Sequence, residues 1–310
     1  MLPYLFFHPN RHIMKHKQLP VFMFLAVIGS LFLITSCESG DKGKNAPVMD
    51  TTAKAEDPRL NSIKKIIYSI PAPMQMASLI KETGTKYDKS VLNNTENAKT
   101  YTGELKQALN LGIYGADLSY SSIFDRKQES MNFLAAAQKM ARELGIDGAL
   151  RDDIVDRMNT NMSNRDSLLN IVSQAYADLY DYLKENNRAQ ISALVITGGW
   201  VEGLYLGALH SKSSAELKQR VAEQKYALRD LIALLNEYQE APALAGVRAD
   251  LAELQALFNE VEETKGGAET SKDENGMVVI GGKAGVSMSE ETLAKVSTKV
   301  KEIRTKYISQ

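Results

Sequence analysis

Residues 189–209 read AQISALVITGGWVEGLYLGAL and are apolar on nearly every side of a helix. A helix that is apolar all round either lies in the core of a large protein or spans a membrane. Glu202 stands near the middle of the stretch, and a span of about 20 residues is only just long enough for a bilayer. The stretch therefore predicts a central buried helix.

The same stretch carries glycine at every fourth position, at Gly199, Gly203 and Gly207. Each glycine inside a helix costs roughly 1 kcal/mol relative to alanine. A close approach of a neighbouring helix backbone is the usual feature that offsets this cost. We therefore expect a second helix to pack tightly against this one.

The remaining segments repeat apolar residues at alternating three and four steps, which is the helical period. Only Met277–Ile280, in a glycine-rich loop of residues 265–287, resembles a strand. We predict an all-α protein, an up-and-down bundle of long antiparallel helices with a short glycine-rich loop before the C-terminal helix, formed as one domain by residues 58–310. The predicted helices are 58–69, 73–83, 97–124, 127–144, 149–159, 164–186, 189–209, 214–239, 247–263 and 289–307.

The 310 residues divide sharply in composition. Residues 1–37 contain the only Cys and three of the four His, so one His and no Cys remain beyond them. Most zinc centres use several His or Cys ligands, so we expect no metal and no cofactor. Residues 38–310 carry 34 basic and 38 acidic side chains without a Lys/Arg cluster, which disfavours nucleic-acid binding.

The N-terminal stretch has the pattern of an export signal. Lys15 and Lys17 precede an uncharged, mostly apolar run of 18 residues, 19–36, and the sequence Ile34-Thr35-Ser36-Cys37 follows. This stretch resembles a bacterial lipoprotein signal peptide with its lipobox. The alternative is a signal anchor, because the run could nearly span a bilayer.

The resemblance implies that residues 1–36 are removed and that Cys37 carries diacylglycerol and a further acyl chain, such as palmitate. Residues 37–57 would then be a flexible tether, and Met14 the true start. Glu38 follows the lipidated residue, which leaves outer-membrane sorting as the default, with display on the periplasmic or the surface face. The implied partner is membrane lipid, bound through Cys37.

Two acidic residues stand out in apolar helices. At an offset of 85 residues Asp117 aligns with Glu202 and Tyr120 with Tyr205, which suggests an internal duplication. One reading is that each acid satisfies donors within the core. The other is a shared acidic pocket for a cation or an amine, and its candidate residues are Asp117, Glu202, Tyr114, Tyr120, Trp200 and Tyr205.

The leading functional hypothesis is a lipid-anchored helical protein of the cell envelope that binds or scaffolds an envelope protein partner. We expect no catalysis, since no catalytic set of residues is recognisable. The alternative is a binding protein for a cation or a small amine at Asp117 and Glu202. A third hypothesis, an unidentified hydrolase, would have to use His210, which more simply caps the C-terminus of its helix.

Overall fold

The computed structural model describes residues 69–70, 73–149, 152–161, 164–264, 270–272, 278–280 and 285–309. All of them belong to one compact unit, residues 55–310. The predicted signal peptide, the lipidated Cys37, the tether and nearly all of the helix predicted over 58–69 lie outside the described residues.

The prediction of an all-α helical bundle is confirmed. The described part of the chain forms nine α-helices and four strands of three residues each. The helices are α1 (Pro73–Glu82), α2 (Glu104–Ile123), α3 (Lys127–Glu143), α4 (Asp152–Thr160), α5 (Arg165–Glu185), α6 (Ala189–His210), α7 (Ala215–Asn236), α8 (Ala245–Phe258) and α9 (Glu290–Ile308). The strands are β1 (Glu262–Thr264), β2 (Thr270–Lys272), β3 (Val278–Ile280) and β4 (Gly285–Ser287).

Helix α6 is the centre of the bundle, as its sequence predicts. Every residue from Ile191 to Ala208 is buried. The helix packs against α1, α2, α5, α7 and α9. Because neighbours cover it on all sides, the usual division of a helix into an apolar and a polar face is absent.

Helices α2 and α6 touch backbone to backbone. A Cβ atom added to Gly112 would lie 1.9 Å from the carbonyl oxygen of Val195, and one added to Gly198 would lie 2.0 Å from that of Leu109. The predicted close approach of a second helix is thus confirmed. It depends on Gly112 and Gly198, and Gly199 lies in the same contact, since its backbone nitrogen would be 2.6 Å from a Cβ atom added to Gly112. At Gly203 an added Cβ would meet only ordinary contacts, 3.7 Å from Cα of Pro73.

Two predicted helix boundaries are wrong by about a turn or more of helix. The helix expected from residue 97 begins at Glu104, because Gly103 has a φ of +82° and Thr95–Lys99 forms a separate 3-10 turn. The helix expected to reach residue 263 ends at Phe258. Residues 262–264 instead pair antiparallel with residues 285–287, and residues 270–272 pair with 278–280. Of these four strands, β3 falls on residues 277–280, which resemble a strand in the sequence, whereas the other three are too short to show a period.

Two helix ends are fixed by capping residues, one through a side chain and the other through a glycine backbone. At the start of α9 the cap is Ser289, whose Oγ accepts the N–H of Thr292 at 3.0 Å. The sequence suggests Ser287 for this role, but Ser287 is the last residue of β4. Gly145 follows the end of α3 with a φ of +65°, and its N–H donates to the carbonyl oxygen of Arg142.

Candidate functional site

The structure brings Asp117 of α2 and Glu202 of α6 together in the core. Both side chains are fully buried, and their carboxyl groups lie close enough to share a hydrogen bond when one of them holds a proton. Gly112 contacts residues 195–199 and Asp117 contacts Glu202, so the two helices run in the same direction here. They begin at residues 104 and 189, which differ by the same 85 residues as the aligned acids.

Arg304 of α9 completes this acid cluster, which we define as Asp117, Glu202 and Arg304. Its Nε donates to Oε2 of Glu202 at 2.8 Å and its Nη2 donates to Oε1 at 3.0 Å, a two-point ion pair. Nη2 also donates to the carbonyl oxygen of Val91 at 3.1 Å. The guanidinium carbon lies 4.7 Å from the centre of the Tyr205 ring, which adds a cation–π contact.

Charge balance sets the protonation state of Asp117. Its Oδ2 accepts the backbone N–H of Asn93 at 3.1 Å, whereas no N–H group of the described residues donates to its Oδ1. Burial and the nearby Glu202 carboxylate raise the pKa of Asp117 well above its usual range, although Arg304 and the Asn93 N–H oppose this. A protonated Asp117 that donates to Glu202 leaves one carboxylate facing one guanidinium, so the cluster is neutral.

The four aromatic residues expected around the acids have four different partners. Tyr205 lies at the acid cluster. Tyr114 donates from its hydroxyl to the carbonyl oxygen of Asn94 at 3.0 Å. Tyr120 stacks on Tyr87 with ring centres 5.5 Å apart, and Trp200 donates to Oε1 of Gln224 at 3.0 Å.

The acid cluster is therefore an ion pair between Arg304 and Glu202, with a proton held on the neighbouring Asp117. The cation that an acidic pocket would take from solution is supplied by the chain itself, by Arg304. Among the described residues no group of three or more His, Cys, Asp or Glu side chains could hold a metal ion. The geometry favours the reading in which the two acids satisfy donors within the core.

Asp117→Asn should stabilise the protein above neutral pH. The amide would donate to Glu202 and accept from Asn93, as protonated Asp117 does. The native state holds a proton that the unfolded chain releases above about pH 4, so the wild-type free energy of unfolding should fall as pH rises through the native pKa. Denaturant unfolding at pH 5 and pH 8 should show this fall in the wild type and a smaller one in the variant. Equal slopes in the two proteins would contradict the assignment.

Beside the acid cluster, a buried polar network holds the segment of residues 88–99. The Nδ2 of Asn93 donates to Oδ1 of Asn110 and to the hydroxyl of Tyr101, each at 3.1 Å. The Oδ1 of Asn93 accepts from Nδ2 of Asn97 at 3.0 Å. Asn110 in turn donates to the carbonyl oxygen of Tyr307 at 3.0 Å, which links the segment to α2 and α9.

This segment and helix α3 enclose a polar groove of about 390 Å³. Its polar lining comes from Lys89, Ser90, Asn93, Asn94, Thr95, Glu129 and Asn132, and its apolar lining from Leu92 and Phe133. The sequence does not reveal the groove, since residues 88–96 have no helical or strand period. The one available signal is the run of polar residues Asn93-Asn94-Thr95-Glu96-Asn97.

No protein-family model, curated protein or solved structure matches this chain.

Proposed function

We propose that the protein is a lipid-anchored binding protein of the bacterial cell envelope. In this proposal Cys37 carries the lipid, residues 37–57 form the tether, and the helical domain presents the binding surface. The lipobox pattern and the buried position of α6 support the anchor. The polar groove supports a binding role, because its volume lies within the range of about 300–1,000 Å³ typical of small-molecule sites.

The anchor rests on the lipobox resemblance, and the position of α6 bears on the competing explanation, a membrane-spanning helix. Among the described helices α6 alone is long and apolar enough to cross a bilayer, and 94% of its most apolar window is buried inside the domain. A helix enclosed by five others serves the core. Attachment to a membrane would therefore have to come from another part of the chain, and Cys37 is the residue whose surroundings resemble a lipidation signal.

The strength of such an anchor follows from its hydrocarbon content. Each buried CH₂ group contributes about 0.8 kcal/mol, so a single chain binds a membrane reversibly, whereas two chains hold firmly. The diacylglycerol that the lipobox resemblance implies would supply two chains at once. We place the protein in the outer membrane, because Glu38 follows Cys37, and expect an envelope protein as its partner.

Cys37→Ser should release the protein from the membrane. The serine hydroxyl cannot form the thioether to diacylglycerol, so the variant should stay unprocessed and take up no labelled palmitate. Metabolic labelling, mass spectrometry of the N-terminal peptide and membrane fractionation in a bacterial host would measure this. Ser36→Ala keeps a small residue before Cys37 and should be lipidated like the wild type. A wild-type protein with an unmodified Cys37 would refute the anchor.

The alternative, capture of a cation or a small amine by Asp117 and Glu202, has less support. A cationic ligand there would have to displace the guanidinium of Arg304 from a two-point ion pair. Both carboxyl groups are also fully buried, so the ligand would need an opening that the described residues do not provide. The polar groove offers exposed groups without such a cost.

A further inference from the structure

We propose that the polar groove binds a small carbohydrate of one or two sugar rings, through Glu129 and Asn132 of α3 and Asn94 and Thr95 of the facing segment. This inference names the ligand class of the binding role proposed above and rests on it. It does not depend on the lipid anchor. The groove is distinct from the acid cluster, although Asn93 touches both.

The groove is built in advance of any ligand. Asn93 is only 2% exposed and its side chain is held by Tyr101, Asn97 and Asn110. The carbonyl oxygen of Asn94 is fixed by the hydroxyl of Tyr114. Because an irregular segment is pinned by so many buried bonds, its outward groups keep their positions, which lowers the entropy lost on binding.

The polar groups at the groove suit a ligand with several hydroxyl groups. A carboxylate such as Glu129 accepts hydrogen bonds, and a carboxamide such as Asn132 both donates and accepts. Adjacent sugar hydroxyls offer a donor and an acceptor side by side, which matches this mixture. Glu129 is half-buried and forms no ion pair within the described part of the chain, so its carboxylate is not committed to a neighbouring cation.

A sugar site needs apolar surface as well as hydrogen-bonding groups, and the apolar lining of the groove supplies it. Leu92 and Phe133 line the groove with the polar groups, and they are 7% and 2% exposed. A pyranose ring presents C–H groups on its faces, and burial of this apolar surface adds to the affinity. A lining that combines polar and apolar side chains therefore matches the two kinds of surface of a sugar.

The charge and the volume of the groove restrict the class of ligand further. The groove is lined by one cation, Lys89, and one anion, Glu129, so its formal charge is zero. This balance does not favour a phosphate or a simple amine. The volume of about 390 Å³ is near the lower end of the range for small-molecule sites, which fits one or two rings better than a longer chain.

The test uses the full-length chain, purified in detergent. Saturation-transfer NMR would screen hexoses, pentoses, 6-deoxyhexoses, N-acetylhexosamines and their disaccharides, with free amino acids as a second panel, and calorimetry would measure the affinity of each hit. We expect at least one saccharide to bind, and Glu129→Gln and Asn132→Ala to weaken it about tenfold each, as the loss of one hydrogen bond to a ligand predicts. Met131→Ala is the matched control, since Met131 is 51% exposed on the same helix and does not line the groove.

Three results would overturn the inference: no binding by any saccharide of the panel, saccharide binding that both groove variants leave unchanged, or binding of amino acids in place of saccharides. Thermal unfolding of each variant would show that the fold is intact. Crosslinking of the full chain in native membranes separates the two proposals. A trapped protein partner without saccharide binding would remove the carbohydrate inference and leave the proposed binding function standing.

Discussion

Arg304→Met will destabilise the helical domain by about 3–5 kcal/mol, the usual cost of removing one partner of a buried ion pair. Glu202 is fully buried and takes both of its charged hydrogen bonds from Arg304. Methionine fills a similar volume without charge, so the variant leaves a buried carboxylate with no cation. Urea unfolding of the full-length chain, followed by circular dichroism, would measure the loss.

Two further variants test whether the loss of stability comes from the buried ion pair. Arg229 pairs with Asp230 at 3.0 Å, but its side chain is 66% exposed, so Arg229→Met should cost less than about 1 kcal/mol. The double variant Arg304→Met/Glu202→Met removes both charges and should recover much of the lost stability. A cost below 1 kcal/mol for Arg304→Met alone would show that the pair does not hold α9 to the core.

Gly198→Ala will cost about 3 kcal/mol, at the upper end of the usual range for overpacking. The new methyl group would lie 2.0 Å from the carbonyl oxygen of Leu109, and backbone cannot turn aside as a flexible side chain can. Helices α2 and α6 would have to separate, and the bond between Asp117 and Glu202 lies along the same contact. Gly112→Ala should destabilise the protein by a similar amount, because its methyl group would meet the backbone of Val195.

The control for this prediction lies five residues further along the same helix. Gly203→Ala adds a methyl group at ordinary contact distance, 3.7 Å from Cα of Pro73. There the gain in helix propensity of about 1 kcal/mol should dominate, so this variant should equal or exceed the wild type in stability. Urea unfolding of the three variants tests the contrast. Losses of equal size at Gly198 and Gly203 would contradict the geometry of the α2–α6 contact.

The central helix could be predicted because its signal is local, whereas the sequence left open whether the two acids meet. An unbroken apolar stretch at 189–209 indicates burial without knowledge of any neighbour, and the structure places α6 at 189–210. The offset of 85 residues aligned Asp117 with Glu202 from two short stretches. Gly198 could not be singled out, because it stands outside the four-residue period of glycines and that period does not tell which face of α6 meets α2.

Arg304 and the groove could not be predicted, for two different reasons. Arg304 is 102 residues from Glu202, and a pairing over that distance leaves no periodic trace. Its one signal is that it follows Val300 by four residues, so a charged side chain falls on a buried stripe. The groove depends on a segment whose shape comes from buried side-chain bonds, and such bonds appear only once the helices are in place.

The dependence of Glu202 on Arg304 has a consequence for how the protein is made. During synthesis α2 and α6 emerge well before α9, so the paired acids lack their counter-charge while the intervening hundred or so residues are added. The early core should stay loose in this interval, since closing it would bury an uncompensated charge. If the protein is exported as proposed, this delay would keep the chain unfolded enough to pass through the inner membrane before its core closes.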